Sequence, residues 1–342
     1  MSTTETRKVD HIRINLEENV QFPRLKTGLE KYRFIHQAIP EIDMDAVDTQ
    51  INLFGKTLTA PILISSMTGG AELASRLNYN LAEAAQEHGI AMGLGSQRAA
   101  IERDELAYSY QVRKVAPSIL LFANLGAVQL NYRYGVSECQ RAVDMVNADA
   151  LILHFNVLQE AVQPEGDTNF AGLLKQIEKV VKSINVPVIA KEVGWGFSEQ
   201  NVRALSEVGV TAIDVAGAGG TSWSEVEYHR APTEFHARIA ASFADWGIPT
   251  AEAIQYAVKA APRAIVIASG GLRNGIDIAK CIALGASLGG IAGPFLKAAS
   301  QSVTEVSQLI VELKTQLRIA MLCSAAQNIE KLRHTNLIRS DE

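Results

Sequence analysis

The stretch "EVGVTAIDVAG" at residues 207–217 contains the sequence pattern that best predicts the fold. A helical segment ends at a glycine, a short apolar strand follows at once, and a further glycine comes after the strand. The same helix–glycine–strand unit recurs in "EHGIAMGLG" at 87–95 and in "ALGASLGGIAG" at 283–293. Such repetition is typical of chains in which parallel strands alternate with helices.

Eight apolar runs between residues 60 and 295 have the length of buried strands. They are 61–67, 90–96, 118–126, 150–156, 187–193, 212–220, 264–271 and 288–294. Because the runs are almost continuously apolar, we expect a parallel sheet that is covered on both faces. Eight such strands predict an α/β fold, the (β/α)8 or TIM barrel. A doubly wound sheet is the alternative, but no dinucleotide-binding fingerprint follows the first strand.

Two segments lie outside this repeat. Residues 1–59 are a polar, charged N-terminal extension, and residues 60–342 form the barrel with C-terminal helices. Within the barrel, residues 221–262 form a long insertion after strand six. A connection of that length usually carries function or has helices of its own.

Composition and charge exclude several classes of protein. The chain has 342 residues, of which 47% are hydrophobic and 20% charged, as in globular proteins. A net charge of −5 and a pI of about 5.9 argue against binding to nucleic acid or an anionic membrane. There is neither a long apolar run nor a signal-peptide pattern, so we expect a soluble cytoplasmic protein. Cys139, Cys281 and Cys323 are too scattered to suggest a disulfide framework or a thiolate metal site.

Polar residues collect where the predicted strands end. They are Ser65, Ser66, Met67 with Thr68, Ser96, Gln97, Arg98, Asn124, His154, Asn156, Lys191, Glu192 and the "GAGGTSW" loop at 217–223. In a barrel these ends share one face, which carries the active site. Each residue alone could simply cap a helix. Lys191 is the exception, because an ammonium group is costly to bury without a partner, and this predicts a ligand or catalytic role.

Glycine-rich turns follow the last two predicted strands, in "ASGGLRNG" at 268–275 and "LGGIAGPF" at 288–295. Free N–H groups at helix starts favour an anion, and barrels often bind phosphate between these two loops. A phosphorylated cofactor such as FMN would then lie across the barrel mouth. Met67 could pack on its ring, although core filling is the commoner role for a lone methionine. Lys191 could reach the N1/O2 edge, where reduced flavin carries negative charge.

Seven motifs together resemble type 2 isopentenyl-diphosphate isomerase. They are "RKVDHI" at 7–12, "SSMTGG" at 65–70, "GSQR" at 95–98, "HFNVLQE" at 154–160, "KEVGWG" at 191–196, "GAGGTSW" at 217–223 and "GGLRNG" at 270–275. The resemblance covers nearly the whole chain in order. It implies an FMN-containing barrel that uses Mg2+, is reduced by NADPH, and interconverts isopentenyl and dimethylallyl diphosphate. The N-terminal extension would contribute to the substrate site.

The resemblance also assigns residues. The flavin ring would contact Ser66, Met67, Thr68, Ser96, Asn124, Lys191 and Thr221, and its phosphate end Gly271, Leu272, Arg273, Ala292 and Gly293. The substrate diphosphate would be bound by Arg7, Lys8, Ser96, Gln97, Arg98, His154, Asn156 and Gln159. Mg2+ would bind Glu160, and the catalytic residues would be Gln159, Lys191 and His154. This chain departs from the family at Ala216, where a serine often stands.

The same residues allow other interpretations. Glu160 could be a first-turn carboxylate that the helix dipole favours. An FMN hydroxy-acid oxidase or nucleotide dehydrogenase has a similar fold, but the first needs a histidine near strand seven and the second a cysteine on an active-site loop. A flavin- or diphosphate-binding protein without turnover is a third class. We expect a small-molecule substrate and a homo-oligomer, with no nucleic acid or membrane partner.

Overall fold

Eight parallel strands close into a barrel in the computed structural model, which describes residues 3–340. In chain order the strands are β1 (Tyr32–Phe34), β2 (Ile51–Leu53), β3 (Lys56–Leu58), β4 (Ile62–Ile64), β5 (Ala91–Gly93), β6 (Leu121–Gly126), β7 (Ala150–Phe155), β8 (Val188–Glu192), β9 (Ala212–Asp214), β10 (Ile265–Ala268), β11 (Leu288–Ile291) and β12 (Leu337–Arg339). Strands β4 to β11 pair in sequence order, and β11 closes on β4. The predicted TIM barrel is therefore confirmed, and the doubly wound alternative is wrong.

Helices follow the barrel strands and surround them. They are α1 (Thr3–Glu17), α2 (Glu72–His88), α3 (Arg98–Glu102), α4 (Val136–Val146), α5 (Val157–Val162), α6 (Leu173–Ser183), α7 (Glu199–Glu207), α8 (Trp223–Arg230), α9 (Glu234–Ala241), α10 (Thr250–Ala260), α11 (Gly275–Ala283), α12 (Gly293–Gln301), α13 (Val303–Cys323) and α14 (Ile329–Arg333). Gly89 ends α2 in the left-handed conformation at φ 63°, as its position in the sequence pattern predicts.

The barrel interior is layered with a period of two residues along each strand. Its apolar layer includes Leu63, Ala91, Phe122, Ile152, Ile189, Ala212, Ile267 and Leu288. Since side chains alternate across a strand, the residues two positions further on also face inward. These are Ser65, Gly93, Asn124, His154, Lys191, Asp214, Ser269 and Gly290. A polar layer therefore lies directly above an apolar one, at the carboxyl end of the barrel.

Every predicted strand exists, but each is shorter than its apolar run. The run 212–220 supplies only Ala212–Asp214 as a strand, because its glycine-rich end turns away, with Ala216 at φ 35° and Gly219 at φ 118°. Ser198 caps α7 by accepting from the N–H of Asn201. The sequence "SECQ" at 137–140 predicts a Ser137/Gln140 capping box at the start of α4, and this prediction is wrong. The cap there is the Glu138 carboxylate, which accepts from the N–H of Gly135 at 2.7 Å.

The N-terminal extension covers the barrel at both ends. The β2–β3 hairpin closes the bottom, where Phe54 meets Phe122 edge-on. Strand β1 of the extension pairs with β12, and this pairing joins the extension to the C-terminal helices. Helix α1 packs against α8 of the long insertion and against α12. Within residues 3–340 no helix has the length and apolar character that crossing a membrane requires.

Candidate functional site

A cavity of about 290 Å³ opens at the carboxyl ends of the barrel strands. The predicted residues that line it are Arg7, Lys8, Ser66, Met67, Thr68, Ser96, Arg98, Asn124, His154, Asn156, Gln159, Glu160, Lys191, Thr221, Gly271, Leu272, Arg273, Ala292 and Gly293. They come from the polar layer of the barrel, from the strand-to-helix loops and the first turns of the helices that follow, and from helix α1. The structure thus brings together residues that are up to 286 positions apart in sequence.

Gln97 is the predicted site residue that does not line this cavity. Its side chain is fully buried and donates to the carbonyl of Ala142 at 2.8 Å, while its Oε1 accepts from the N–H of Asn124 at 2.9 Å. Both bonds tie α4 and β6 together on the outer side of the barrel wall. We therefore remove Gln97 from the proposed substrate contacts.

Lys191 lies in a buried cluster on the floor of the cavity. Its Nζ is 3.1 Å from Oδ2 of Asp214 and 3.3 Å from the Ser269 hydroxyl, which in turn donates to Asp214 Oδ1 at 2.6 Å. Lys191 is 7% exposed and Asp214 is 1% exposed, so the two charges compensate each other away from water. We call Lys191, Asp214 and Ser269 the floor cluster.

His154 is held in the polar layer beside this cluster. Its Nδ1 is 2.8 Å from Oδ1 of Asn124, which accepts and thereby places the ring proton on Nδ1. Burial, followed by the charges of Lys191 and Lys8, lowers the pKa of His154 to about 4. The ring is therefore neutral near pH 7 without a bound anion, and an added negative charge would favour its protonation.

The first turn of α5 presents Glu160 at the rim of the cavity. Its Oε1 accepts from Nδ2 of Asn156 at 2.8 Å, and its Oε2 accepts from the N–H of Asp167 at 2.7 Å. These two bonds fix the carboxylate in an environment that leaves it 6% exposed. No cluster of three or more metal-binding side chains exists among residues 3–340. A single fixed carboxylate suits Mg2+ that keeps waters and arrives with a phosphate group.

Helix α1 brings two cations to the rim of its own barrel. Lys8 donates to the carbonyl of Ser96 and to the Tyr110 hydroxyl, both at 2.7 Å, and Arg7 donates to Gln163 at 3.1 Å. Burial, followed by the charge of Arg7, lowers the pKa of Lys8 to about 7. These contacts lie within one chain, so helix α1 reaches the cavity of its own barrel.

Glu227 of α8 is a functional residue that the sequence reasoning missed. It accepts from Gln159 Nε2 at 3.0 Å, from Arg230 Nε at 2.8 Å, and lies 3.1 Å from His11 Nε2. Burial alone would raise the pKa of Glu227, but the hydrogen bonds and charges of these partners hold that pKa at about 2. Its carboxylate therefore stays charged and orients the Gln159 amide.

The sequence contains partial signals for the missed residues. Asp214 and Ser269 stand two positions beyond apolar interior residues, so the period of the strands could have identified them. His11 lies in the quoted motif "RKVDHI". Glu227 has no such signal, because only the packing of α8 against α1 and α5 brings it to the rim.

Close backbone approaches shape the opposite end of the cavity. Gly271 has φ 77°, and a Cβ there would lie 2.5 Å from the Thr27 side chain. A Cβ on Gly220 would lie 2.5 Å from the N atom of Gly271, so the two glycine-rich loops touch backbone to backbone. Helix α12 begins nearby at Gly293. This combination of free N–H groups and a helix start favours an anionic group.

Some buried polar atoms around the cavity have no hydrogen-bond partner within the described part of the chain. They are Oγ of Ser65, Oγ of Ser66 and Oδ1 of Asn156. Buried groups of this kind usually have partners, and leaving one unpaired costs about 1–3 kcal/mol. A polar ligand in this cavity would satisfy them. The residues present therefore fit a flavin nucleotide with its phosphate between the glycine-rich loops.

Comparison with known proteins agrees with this geometry. The model of the FMN-dependent dehydrogenase family matches residues 2–110 and 141–339. An isopentenyl-diphosphate delta-isomerase of a Nostoc species is 51% identical over 336 residues, covering 98% of this chain and 96% of the relative. The protein of the same name from a Synechocystis species is 55% identical over 332 residues, covering 97% and 95%.

Solved structures agree on the fold alone. A mandelate oxidase variant with (S)-mandelic acid has a TM-score of 0.70 at 20% identity, covering 98% of this chain and 95% of that one.

The sequence resemblance is confirmed by the relatives, which match at 51% and 55% identity over almost their full lengths. The chain therefore belongs to the isopentenyl-diphosphate delta-isomerases, within the wider family of FMN-dependent dehydrogenases.

Proposed function

We propose that this chain interconverts isopentenyl and dimethylallyl diphosphate in isoprenoid biosynthesis by a redox-neutral allylic proton shift. One proton is added at the terminal methylene carbon, and another is removed from the opposite allylic carbon. The name that the relatives carry supports the reaction, and the matching family supports FMN as the cofactor. Mg2+ and NADPH complete the proposed requirements.

The observation that carries this proposal is the composition of one cavity. A buried ammonium group stands on its floor, while cations and a fixed carboxylate stand at its rim. The floor suits a flavin, and the rim suits a metal-bound diphosphate. The space between them is where an alkene would lie.

The flavin contacts divide between the floor and the glycine-rich loops. Ring contacts would come from Ser66, Met67, Thr68, Ser96, Asn124, Lys191 and Thr221, and phosphate contacts from Gly271, Leu272, Arg273, Ala292 and Gly293. The reduced cofactor, which NADPH would prime, supplies acid/base chemistry next to the alkene. Lys191 would stabilise negative charge at the N1/O2 edge, because its ammonium is already fixed by Asp214.

Most of the proposed substrate contacts lie at the rim, and His154 reaches the same space from the polar layer of the barrel beside the floor cluster. Arg7, Lys8, Ser96, Arg98, His154, Asn156 and Gln159 would bind the diphosphate, and Glu160 would bind the Mg2+ that accompanies it. His154 donates through Nδ1 to Asn124, so it contacts an anion as a second donor only when its ring is protonated. The charge of the diphosphate favours that protonation.

Gln159 is held in a defined orientation beside the reacting region. Its Nε2 donates to Glu227, and its Oε1 accepts from Asn156 at 3.3 Å. An amide fixed at both ends can position the alkene or relay a proton, but it cannot supply a charge of its own. We therefore assign Gln159 the positioning or relay role among the catalytic residues.

An FMN hydroxy-acid oxidase is the rival, since the solved structures of similar fold are mandelate oxidases. That chemistry requires a histidine near the seventh barrel strand, β10. The segment after β10 is Ser269, Gly270 and Gly271, and the histidines that line the cavity are His11 and His154. His154 lies on β7, and His11 belongs to α1.

An anaerobic count of product against reductant distinguishes the two chemistries. Isomerisation moves no net electrons, so one reduction by NADPH should support many turnovers. We expect dimethylallyl diphosphate to exceed the NADPH oxidised by at least about tenfold, since the cofactor returns to its starting state after each cycle. One NADPH consumed per product would show hydride transfer to the substrate and overturn the proposal. FMN binding without product would indicate a binding protein.

Assembly and location complete the proposal. The insertion exposes large apolar side chains, with Phe235 at 60% and Trp246 at 62% exposure, which favours a homo-oligomer. Light scattering on the FMN-loaded protein measures this directly. The cysteines are free thiols, which suits a reducing compartment such as the cytoplasm.

A further inference from the structure

A loop of residues 163–171, between α5 and α6, packs directly on the carboxylate proposed for Mg2+. The N–H of Asp167 donates to Glu160 Oε2 at 2.7 Å. Gly166 lies so close that a Cβ there would be 1.8 Å from the carbonyl oxygen of Glu160. The position of this loop and the position of Glu160 are therefore tied together.

The Asp167 side chain contacts a different part of the rim. Its Oδ2 accepts from Arg98 Nη1 at 2.8 Å and from Gln129 Nε2 at 2.9 Å. Glu102 accepts from Nε of Arg98 at 2.8 Å. Two carboxylates therefore hold the planar guanidinium at two of its nitrogens, which fixes the direction of its remaining donors.

We propose that Asp167 is a positioning residue that fixes the phosphate-binding Arg98 guanidinium relative to the metal-binding Glu160 carboxylate. Its carboxylate holds Arg98, and its backbone N–H holds Glu160. The inference rests on the proposed function, because it takes a diphosphate and Mg2+ as the ligands of the rim. Neither the sequence motifs nor the names of the relatives assign this residue a role.

A carboxylate beside Arg98 could instead compete with the diphosphate, and the anchoring of the loop favours positioning over competition. Arg230 donates to Glu165 at 2.7 Å near one end, and Asn131 donates to the carbonyl of Asn169 at 2.9 Å near the other. A loop held at both ends keeps its carboxylate in place. Competition predicts tighter binding after the charge is removed, whereas positioning predicts weaker binding.

The variant Asp167→Asn removes the charge but keeps the side-chain shape and the backbone N–H. In the reduced, FMN-loaded protein we expect KM for isopentenyl diphosphate to rise about tenfold, because a charge-assisted contact to Arg98 is lost. We expect kcat and the Mg2+ concentration for half-maximal activity to change by less than about twofold, since the bond to Glu160 remains.

Gly166→Ala tests the contact with Glu160. The added Cβ displaces the loop, so the Mg2+ concentration for half-maximal activity should rise roughly fivefold or more, together with KM. FMN content and the flavin spectrum report whether the fold is intact. An unchanged Mg2+ requirement in a folded, FMN-loaded Gly166→Ala protein would overturn this half of the proposal.

A double-mutant cycle tests whether Asp167 acts through Arg98. In an Arg98→Ala background, Asp167→Asn should change KM by less than about twofold, because the partner is already absent. Asp144→Asn is the matched control, since it makes the same change on the exposed last turn of α4, and it should change no parameter. An equal effect of Asp167→Asn with and without Arg98 would overturn the proposed route.

Binding of inorganic pyrophosphate with Mg2+, measured by calorimetry on the FMN-loaded protein, separates this inference from the proposed reaction. We expect Asp167→Asn to weaken that binding about tenfold, which corresponds to about 1.4 kcal/mol. If the parent protein binds pyrophosphate and the variant binds it more weakly, the positioning role stands even where no isomerisation occurs. Unchanged or tighter binding in the variant would overturn it.

Discussion

The floor and the rim of the cavity are built in different ways. The floor cluster of Lys191, Asp214 and Ser269 lies on neighbouring barrel strands or directly after one, where backbone pairing fixes each Cα. The rim comes from α1, α3, α5, α8 and the 163–171 loop, and polar side-chain contacts such as that between His11 and Glu227 join these segments. Strand pairing defines the floor, whereas packing of distant segments defines the rim.

Because they are built differently, the two regions suit different ligands. A site on paired strands keeps its geometry without a ligand, which suits a cofactor that stays bound through many turnovers. A site assembled from helices and a loop depends on single side-chain contacts between distant segments, which suits a ligand that binds and leaves in every turnover.

The largest effect is expected at the floor. Lys191→Ala removes the ammonium proposed to face the flavin edge and leaves Asp214 buried without its partner. Activity should fall roughly 10²- to 10³-fold, the usual range for losing a preorganised charge at a reacting centre, and much of the FMN should be lost. Absorbance of the purified protein and its anaerobic rate measure both. Lys182→Ala, on the exposed end of α6, is the matched control and should retain both.

At the rim we expect a loss of activity without a loss of FMN. Glu160→Gln keeps the side-chain shape but removes the charge proposed to bind Mg2+, so activity should fall roughly 10- to 100-fold while the FMN content is unchanged. The measurement is a Mg2+ titration of the reduced protein. A variant that titrates like the parent would show that Glu160 is only a helix-start carboxylate. A variant that loses FMN would contradict the separation of floor and rim.

The same division explains what the sequence could predict. Floor residues follow from local rules, because the apolar runs identify the strands and the period of two identifies which side chains point inward. Lys191 was predicted from its place at a strand end and the cost of burying an unpaired ammonium, and the period of two could have identified Asp214 as well. The phosphate end was also indicated by local glycine patterns. All eight strands were therefore predictable, although their ends were placed too far along the chain.

Rim residues follow from long-range packing that no local pattern contains. Glu227 lies on a helix of the insertion, and nothing in "SEVEYHR" indicates that it meets Gln159. Gln97 was predicted to lie in the site because it follows a strand. Its side chain instead turns outward and donates a hydrogen bond to the carbonyl of Ala142. Most rim residues were predicted from the resemblance to a family, whereas most floor residues were predicted from local patterns in the sequence.

A smaller effect, confined to the rim, concerns pH. The pKa of Lys8 is lowered to about 7 by burial and by the charge of Arg7, so above pH 7 the free protein holds a neutral Lys8. Diphosphate binding favours the ammonium form and must then take up a proton. KM should be level just below pH 7 and rise up to about tenfold per pH unit above it. Lys8→Arg should lose this slope, because a guanidinium stays charged.

FMN affinity should show no such slope, because Lys8 belongs to the rim. Parallel titrations of KM and of the FMN dissociation constant between pH 7 and pH 9, a range set around the pKa of about 7, make the comparison. A KM that stays level across this range would remove Lys8 from the diphosphate site. An FMN affinity that falls in step with KM would show that floor and rim are coupled.

The smallest effect is expected at Ala216, which lines the cavity next to the floor cluster. Its backbone has φ 35°, a left-handed conformation that the residue already adopts, so a serine adds a hydroxyl with little further strain. One added hydrogen bond is worth about 0.5–1.5 kcal/mol, so Ala216→Ser should tighten FMN binding a few-fold. KM and the Mg2+ requirement should not change, because both belong to the rim. Reconstitution of the FMN-free protein, followed by flavin fluorescence, measures the affinity. A change in KM without a change in FMN affinity would place residue 216 functionally with the substrate and break the division between the two regions.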